Sequence, residues 1–328
     1  HNYDRKYDEQ GTVNKYYSES ITTKAERDVT LSDSLSFGYG AEYKYDWGDY
    51  TTLTFTSQTK GHLKNLGIFA NTGYKFNDKQ YLSFHLRNDD HKETGGNHTY
   101  KVNYTQIFKN LKLGLTHSTG LKNPSLYELY GSSSSHRGNT FINPEKSSTN
   151  ELYIDYNFSN NIQLISTLYR TNMTDRIKIK SDWSGYENKI PDTTQEGIES
   201  EINISLNSDQ KISIMSHFAK SRTDTGGPNS RRPDLAYGID YKKKIDLIDY
   251  GPFNLNLNYR YIGDHLDWTG SKNEFVKSVD LIDLFLKKEI NNNILSISIT
   301  NLLDEKYEKP ATYSQDGRQF RIGFRKLY

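Results

Sequence analysis

The side chains that could do chemistry in this chain lie in polar segments outside recognisable catalytic motifs. Tyr3-Asp4 and Tyr7-Asp8 place two carboxylates close together. Carboxylate oxygens suit a hard cation when several of them converge, although such a segment is also typical of a solvated polar loop. Ser132–Ser135 beside His136 offers hydroxyls next to an imidazole, the pair that a nucleophile and its base require. A serine-rich run beside one histidine is also typical of a flexible linker.

Established enzyme signatures are missing from the sequence. The chain has no Gly-x-Ser-x-Gly, no His-Glu-x-x-His and no phosphate-binding glycine loop. Cysteine is absent, which excludes disulfides and thiolate metal sites. The 42 basic and 41 acidic residues give a formal net charge of +1, so no bulk charge favours nucleic acid. We therefore predict a protein that is not an enzyme, needs no cofactor and does not bind nucleic acid.

Apolar and polar residues alternate with a period of two along most of the chain. The segments 35–45, 152–158, 235–241 and 255–261 place apolar or aromatic side chains at every second position. No segment sustains the spacing of an amphipathic helix, so the chain is predicted to be all-β. A soluble β-sandwich would show the same alternation.

The composition points to a sheet with two different surroundings. A mean hydropathy of −0.85 is too polar for an ordinary core of this size. The 26 Tyr and 14 Phe are too many for a disordered chain, which is poor in aromatic residues. No run of about 18 apolar residues forms a membrane-spanning helix. A membrane barrel fits all three observations, since half of each strand faces water and half faces lipid.

The predicted connections are of two kinds, which alternate strictly from Phe76 onward. Short polar turns are expected at Asn77–Lys79, Lys109–Asn110, Ser159–Asn161, Asn207–Asp209, Asp246–Gly251 and Ile290–Asn292. Long connections are expected at Asp90–His98, Gly120–Ser148, Ser181–Thr194, Arg222–Pro233, Gly263–Glu274 and Leu302–Arg318, with one more excursion at Trp47–Leu66. Outer-membrane barrels have this asymmetry between short periplasmic turns and long extracellular loops, and a sandwich does not predict it. We predict an up-and-down barrel wall of about fifteen antiparallel strands.

The C-terminal segment combines a polar loop with a final aromatic strand. Asn301-Leu302-Leu303-Asp304-Glu305-Lys306-Tyr307 is followed by Gly317-Arg318, and then Phe320, Ile322, Phe324 and Tyr328 fall on one face. This combination resembles the C-terminus of TonB-dependent outer-membrane receptors. The resemblance implies that residues 320–328 close the barrel and carry the signal that the barrel-insertion machinery recognises.

Further motifs extend the resemblance over most of the chain. Gly120–Gly131 and Gly138–Ser147 resemble a loop of the same receptors, with Asn123 and Thr140 where Ala and Pro are usual. Tyr169–Ile177 and Gln195–Glu199 are similar to two of the family's strands. The order and spacing of these motifs are most similar to the cobalamin receptors. A siderophore receptor of the same fold is the alternative, and a passive porin or a barrel enzyme such as a phospholipase is the alternative from another class.

The resemblance also implies a mechanism and a domain organisation. In this family, extracellular loops capture a scarce large nutrient, and TonB, powered by the proton gradient, acts on a plug inside the barrel. No segment of the sequence matches the plug or the TonB box. We therefore expect residues 1–328 to be the C-terminal barrel part of a protein whose plug and first strands precede it, in a family whose barrels have twenty-two strands. The expected location is the outer membrane of a Gram-negative bacterium, in contact with outer-membrane lipid.

Few side chains are candidates for contact with the nutrient or a metal. The resemblance to cobalamin receptors implies a calcium site at Asp4 and Asp8 and a substrate contact at Arg231 and Arg232. The arginine pair is also typical of a loop-to-strand boundary. The rings of Tyr127, Tyr130 and Trp268 could stack on a large flat ligand or belong to the interfacial aromatic belt.

Overall fold

The computed structural model describes residues 2–9, 12–52, 57–131, 137–189, 192–223, 230–247, 251–268 and 272–326. At positions 2–9, 12–14, 52, 57, 189, 247 and 268 it describes the backbone alone. Within these ranges, no helix is both long enough and apolar enough to span a membrane.

Among the described residues there are twenty strands, and sixteen of them form one sheet in which their order follows their order in the chain. The strands are β1 (Asn2–Glu9), β2 (Thr12–Ser32), β3 (Leu35–Thr52), β4 (Ser57–Asn77), β5 (Gln80–His91), β6 (Gly95–Ile107), β7 (Leu111–Lys122), β8 (Glu145–Ser159), β9 (Ile162–Thr174), β10 (Arg176–Ile179), β11 (Tyr186–Lys189), β12 (Thr193–Asn207), β13 (Gln210–Thr223), β14 (Leu235–Leu247), β15 (Gly251–Ile262), β16 (His265–Trp268), β17 (Asn273–Val276), β18 (Val279–Ile290), β19 (Asn293–Thr300) and β20 (Gln319–Lys326). The pairs β10–β11 and β16–β17 are separate two-stranded hairpins. One short helix, α1 (Leu126–Tyr130), lies between β7 and β8. The all-β, up-and-down antiparallel prediction is confirmed.

The chain divides into two compact units. The first comprises residues 1–106, 114–150 and 171–194, and the second comprises residues 107–113, 151–170 and 195–328. In the first unit, β3 pairs with β4 over its whole length, from Leu35 opposite Tyr74 to Thr52 opposite Ser57. The predicted excursion at 47–66 is therefore largely a continuation of these two strands, and residues 53–56 lie outside the described chain.

Register separates an apolar face from a polar face in the first unit. Tyr39 pairs with Ala70, which pairs with Leu86, so these side chains share one face. Tyr39 and Leu86 are 48% and 45% exposed. On the opposite face, Arg87 donates to Glu42 at 2.9 Å and to Asp89 at 2.7 Å. Large exposed side chains on one face and an ion-pair network on the other are typical of a wall between lipid and water.

The second unit repeats this division of faces. Tyr241 pairs with Leu257, which pairs with Leu284, whereas Asp240 pairs with Asn258, which pairs with Asp283. The last strand continues the apolar face, because Phe320 pairs with Ile299. Three of the residues predicted to form the apolar face of the last strand are largely exposed. The exposed fraction is 61% for Phe320, 67% for Ile322 and 71% for Phe324. Tyr328 lies outside the described residues.

Apart from the 47–66 excursion, the connections follow the prediction with one exception. Two-residue turns join β4 to β5, β8 to β9, β12 to β13 and β18 to β19. The predicted long connection at 90–98 is wrong, because β5 continues to His91 and β6 begins at Gly95. The polar residues there belong to strands: Asp89 pairs with Asn97, and Gly95 has the positive φ of +67° that closes the hairpin. The remaining long connections contain the helix, the two hairpins and the loop before β20.

Candidate ligand-binding loops

Helix α1 begins at a capping box within the long connection between β7 and β8. The Ser125 hydroxyl accepts from the Glu128 backbone N–H at 3.3 Å, and the Glu128 carboxylate accepts from the Ser125 backbone N–H at 2.7 Å. These two bonds satisfy backbone donors that a helix start otherwise leaves unpaired. Lys122 reaches Glu145 at 3.3 Å, which ties the two strands that flank the connection. The start of the helix is therefore fixed by its N-cap residue, Ser125.

The apolar side of α1 packs into an aromatic cluster of the first unit. Leu126 and Leu129 are buried with Leu63. The ring of Tyr127 lies 5.6 Å from that of Tyr50 and 6.1 Å from that of Tyr186, in edge-on geometry. Such aromatic pairs contribute about 0.5–1.5 kcal/mol beyond the area they bury. Tyr127, predicted to contact a ligand or join an aromatic belt, lies in this cluster.

Tyr130 is held by polar contacts at the other end of α1. Its hydroxyl donates to Glu93 Oε1 at 2.6 Å, and Lys92 Nζ donates to the same hydroxyl at 3.3 Å. Its ring also covers Gly61, where an added Cβ would lie 2.3 Å from the ring. The tight turn after β5 and the helix are thus joined through one phenol.

Burial and charge set the ionisation of these groups. The Tyr130 hydroxyl and Lys92 hold the pKa of Glu93 below its ordinary value, although partial burial opposes the shift. Burial raises the pKa of Tyr186 to about 12, with further contributions from Tyr127 and Glu128. Near neutral pH Tyr186 is therefore a neutral phenol and Glu93 an ionised carboxylate.

The β10–β11 hairpin packs beside α1 and borders a cavity. The Arg137 backbone N–H donates to Ser184 O at 2.9 Å. Gly138 approaches the helix so closely that an added Cβ would lie 2.1 Å from Leu129 O, which requires glycine at this position. The adjoining cavity, of about 500 Å³, has Arg137, Lys180 and Tyr186 among its lining residues. Two basic side chains at a phenol suit an anionic or hydrogen-bonding group of a ligand.

In the second unit, a buried carboxylate joins three connections. Asp267 is 1% exposed and accepts from Arg231 Nε at 2.5 Å with one oxygen. Its other oxygen accepts from the Ala311 backbone N–H at 2.8 Å. The Arg231 backbone N–H donates to Leu266 O at 2.7 Å. The connections before β14, between β15 and β18, and before β20 are therefore tied at Asp267.

The two predicted arginines occupy different positions. Arg231 has a φ of +62°, and its side chain is 61% exposed although Nε contacts Asp267. Arg232 donates from Nη1 to Gln195 Oε1 at 2.8 Å. Both residues come just before β14 begins at Leu235, as the boundary interpretation requires. Tyr127 and Tyr130 belong to the first unit, and the two arginines belong to the second.

The loop before β20 closes on its own polar side chains. Asn301, with a φ of +50°, donates from Nδ2 to Glu305 O at 2.9 Å and accepts at Oδ1 from Glu305 N at 2.9 Å. Asp304 Oδ1 accepts from Arg318 N at 2.8 Å. Asp283 Oδ1 accepts from Asn301 N at 2.8 Å, and Asp283 Oδ2 accepts from Arg260 at 2.6 Å. The segment 301–307 is thus a turn whose side chains form hydrogen bonds with backbone groups of the same loop.

Several predicted site residues lie outside the described chain. Ser132–Ser135, His136 and Tyr328 belong to residues that the structure does not describe, and the side chains of Asp4, Asp8 and Trp268 are likewise not described. Among the described residues, no group of three or more His, Asp or Glu side chains is placed to hold a metal ion. The calcium site and the Trp268 contact therefore stay predictions.

Sequence reasoning missed the residues that organise these loops. Asp267 contacts Arg231 and Ala311, 36 and 44 residues away in the chain. Glu93 meets Tyr130 across 37 residues. Glu93 lies in a polar segment and Asp267 lies between Leu266 and Trp268, and no local pattern marks either residue. The capping box is the one signal that the sequence did contain, since Ser125 is followed three residues later by Glu128.

A sheet in which each long strand pairs with its neighbours along the chain, apolar on one face and polar on the other, defines the wall of an outer-membrane β-barrel. The family described as TonB dependent receptor-like, beta-barrel, matches residues 1–302. The chain belongs to this family and is an integral outer-membrane barrel protein.

Individual relatives agree with this assignment. A vitamin B12 transporter, BtuB, of Photobacterium profundum is 26% identical over 149 residues, which are 45% of this chain and 23% of the transporter. The siderophore receptor PirA of Acinetobacter baumannii superposes with a TM-score of 0.77 at 15% identity, over 95% of this chain and 55% of the receptor. A mutant ferric enterobactin receptor, PfeA, of Pseudomonas aeruginosa gives 0.78 at 17% identity, over 95% and 54%. The chain spans about half the length of these solved receptors, and at such identities the superpositions show the fold.

Proposed function

We propose that this chain forms the barrel part of an active-transport receptor that captures a large, scarce nutrient at its long loops. The observation that carries the proposal is the tie at Asp267, which holds three long connections in one arrangement. A preorganised loop set loses less conformational entropy when it binds a ligand than a mobile one does. Ordered long loops on a rigid sheet suit the capture of a ligand.

Energy coupling in this proposal comes from TonB, acting through a plug region of the full-length protein. The support is membership of the receptor family, whose description names TonB dependence. The barrel supplies binding loops and a polar inner face, and performs no covalent chemistry. The C-terminal face formed by Phe320, Ile322, Phe324 and Tyr328 is proposed to guide the barrel-insertion machinery.

Cobalamin is the proposed nutrient. The support is the similarity to the vitamin B12 transporter, together with the order of motifs along the chain. A ferric siderophore is the second candidate, because the structural neighbours include receptors described as siderophore and ferric enterobactin receptors.

Long connections supply the proposed contacts. Arg231 and Arg232 would supply cationic or hydrogen-bonding groups, and Arg231 is already oriented by Asp267. Tyr127 and Tyr130 would contact the ligand with the exposed parts of their rings, since both are partly buried. Trp268 is proposed as a further stacking surface.

Calcium at Asp4 and Asp8 is proposed as an accessory ligand of the outer loops. Carboxylates at these positions suit Ca²⁺, which takes six to eight oxygen ligands. The comparison that tests it is nutrient affinity of the full-length protein with calcium and with a chelator, for the wild type and for Asp4→Asn/Asp8→Asn. Equal affinity in all four measurements would show that nutrient binding does not depend on calcium at Asp4 and Asp8.

Equilibrium binding to the purified full-length protein tests the substrate. We expect saturable binding of cyanocobalamin and no competition by ferric enterobactin. Saturable binding of the ferric siderophore alone would replace cobalamin with the second candidate. Saturable binding of neither would contradict the receptor proposal itself.

The alternatives from other classes have their own tests. A passive porin would give steady ion conductance in planar bilayers without TonB, and we expect the full-length protein to remain closed. A barrel phospholipase would release fatty acid from phospholipid, with the activity lost when Ser132–Ser135 are replaced by alanine. Hydrolysis with that dependence would overturn the transport proposal.

A further inference from the structure

The apolar face of the second unit carries lysines at the end of the sheet where the short turns lie. Lys243 pairs with Leu255, Lys288 pairs with Phe253, and Lys326 pairs with Asn293. Directly paired residues of antiparallel strands share a face. We call Lys243, Lys288 and Lys326 the basic belt, because all three lie on the face of Phe253 and Leu255.

The register fixes how the belt is spaced. Lys243 and Lys288 are on β14 and β18, with β15 between them, and Lys288 and Lys326 are on β18 and β20, with β19 between them. Neighbouring strands are about 4.8 Å apart, so each pair of lysines is separated by about 10 Å across the sheet. All three lie within a few residues of the ends of their strands at 247, 290 and 326.

Charge on this face is unbalanced. The carboxylates near the same strand ends, Asp246 and Glu289, pair with Pro252 and Ile294 and so lie on the polar face. Among the described residues of β13–β15 and β18–β20, the apolar face has its only carboxylate at Asp280, which pairs with Tyr261 near the opposite end. The basic belt is thus cationic, whereas the long-loop end of the same face holds a carboxylate.

The lysines of the basic belt are placed like residues at the boundary between a membrane and water. Lys288 Nζ lies 4.5 Å from the centre of the Phe253 ring, so its ammonium is held at the edge of the apolar face. Long basic side chains cover apolar surface with their stems and keep the charge at the interface. Leu295 and Phe324 continue the apolar surface next to Lys288.

We propose that the basic belt binds anionic phospholipid headgroups of the periplasmic leaflet. Short turns of outer-membrane barrels face the periplasm, which places the belt at that leaflet. Basic side chains near a membrane surface attract anionic lipids. The inference rests on the fold and the membrane location and is independent of the transported nutrient.

The test uses the full-length protein reconstituted with spin-labelled phosphatidylglycerol or phosphatidylcholine. The fraction of immobilised label gives the preference of the protein surface for the anionic lipid. We expect a preference of several-fold for the wild type, reduced at high salt and lost in K243Q/K288Q/K326Q. The matched control K211Q/K242Q/K244Q removes three lysines of the polar face at the same end and should keep the preference.

Further variants separate the effect of charge from an effect on folding. K243R/K288R/K326R retains the charges and should keep the preference, and heat-modifiable migration on gels checks that each variant folds. If the glutamine variant fails to fold, K243Q alone should lower the preference without abolishing it. No preference in the wild type, or equal loss in the belt variant and the polar-face control, would overturn the proposal.

Discussion

Arg231 Nε donates to the buried carboxylate of Asp267 at 2.5 Å, across 36 residues of the chain. Because the second carboxylate oxygen accepts from Ala311 N, one side chain determines the positions of three long connections. These connections belong to the region that the receptor proposal assigns to nutrient capture. Removal of this carboxylate therefore tests how much the order of the loops contributes to nutrient binding, apart from direct contacts with the nutrient.

Asp267→Ala should loosen the three connections without unfolding the sheet. Loss of the acceptor leaves the Ala311 N–H, which is in a buried position, without its partner, at a cost of about 1–3 kcal/mol. Hydrogen exchange should show faster exchange of peptides covering 305–316 and unchanged exchange in β14 and β15. Asp264→Ala, in the same connection, is the matched control. Equal protection of 305–316 in both variants would show that Asp267 does not hold the loop.

Asn301→Ala should open the loop before β20. The substitution removes the side-chain bonds to both Glu305 backbone groups and also places alanine at a φ of +50°. Asn301→Gly removes the same bonds, but glycine adopts a positive φ without strain. If the amide is the main support, both variants should increase exchange at Glu305 to a similar extent. Wild-type protection in the glycine variant would instead assign the role of Asn301 to its backbone conformation.

Ser125→Ala should destabilise α1 and the aromatic cluster on it. Loss of an N-cap side chain costs about 1 kcal/mol, with a range of roughly 0.5–2. The observable is a higher rate of proteolytic cleavage within 123–131 of the folded protein. Ser147→Ala, in the adjoining strand β8, is the control. Ser125→Thr keeps the hydroxyl acceptor and should behave as the wild type. A cleavage rate unchanged by Ser125→Ala would mean that packing alone holds the helix.

The Glu93–Tyr130 contact should weaken in acid. The pKa of Glu93 is lowered in the folded protein from an ordinary value of 4.5, chiefly by the Tyr130 hydroxyl. Its stabilising contribution is therefore fully present above the ordinary pKa and is lost as the pH falls through the lower, folded pKa. Protection factors for residues 92–94, corrected for intrinsic exchange, should fall over that range in the wild type. Glu93→Gln should remove this dependence, and a fall of equal size in that variant would assign it to other groups.

The sequence predicted the strands better than the loops, for a physical reason. Tyr237 to Tyr241 and Leu255 to Tyr261 alternate because each strand separates two solvents, and this repeats at every second residue. The 90–98 prediction was wrong because the polar face of β5, with Asp89 and His91 near its end, resembles loop sequence. Asp267 and Glu93 could not be predicted, since their partners are brought close only by strand pairing.

The most direct test of the transport account is uptake of labelled cyanocobalamin by cells that depend on the full-length protein. The account predicts accumulation against a gradient that stops when TonB is deleted or when the proton gradient is collapsed. Asp267→Ala should reduce the initial rate at low cobalamin concentration, whereas Asp264→Ala should not. Uptake that continues at an equal rate without TonB, or no uptake by a protein correctly inserted in the outer membrane, would contradict the account.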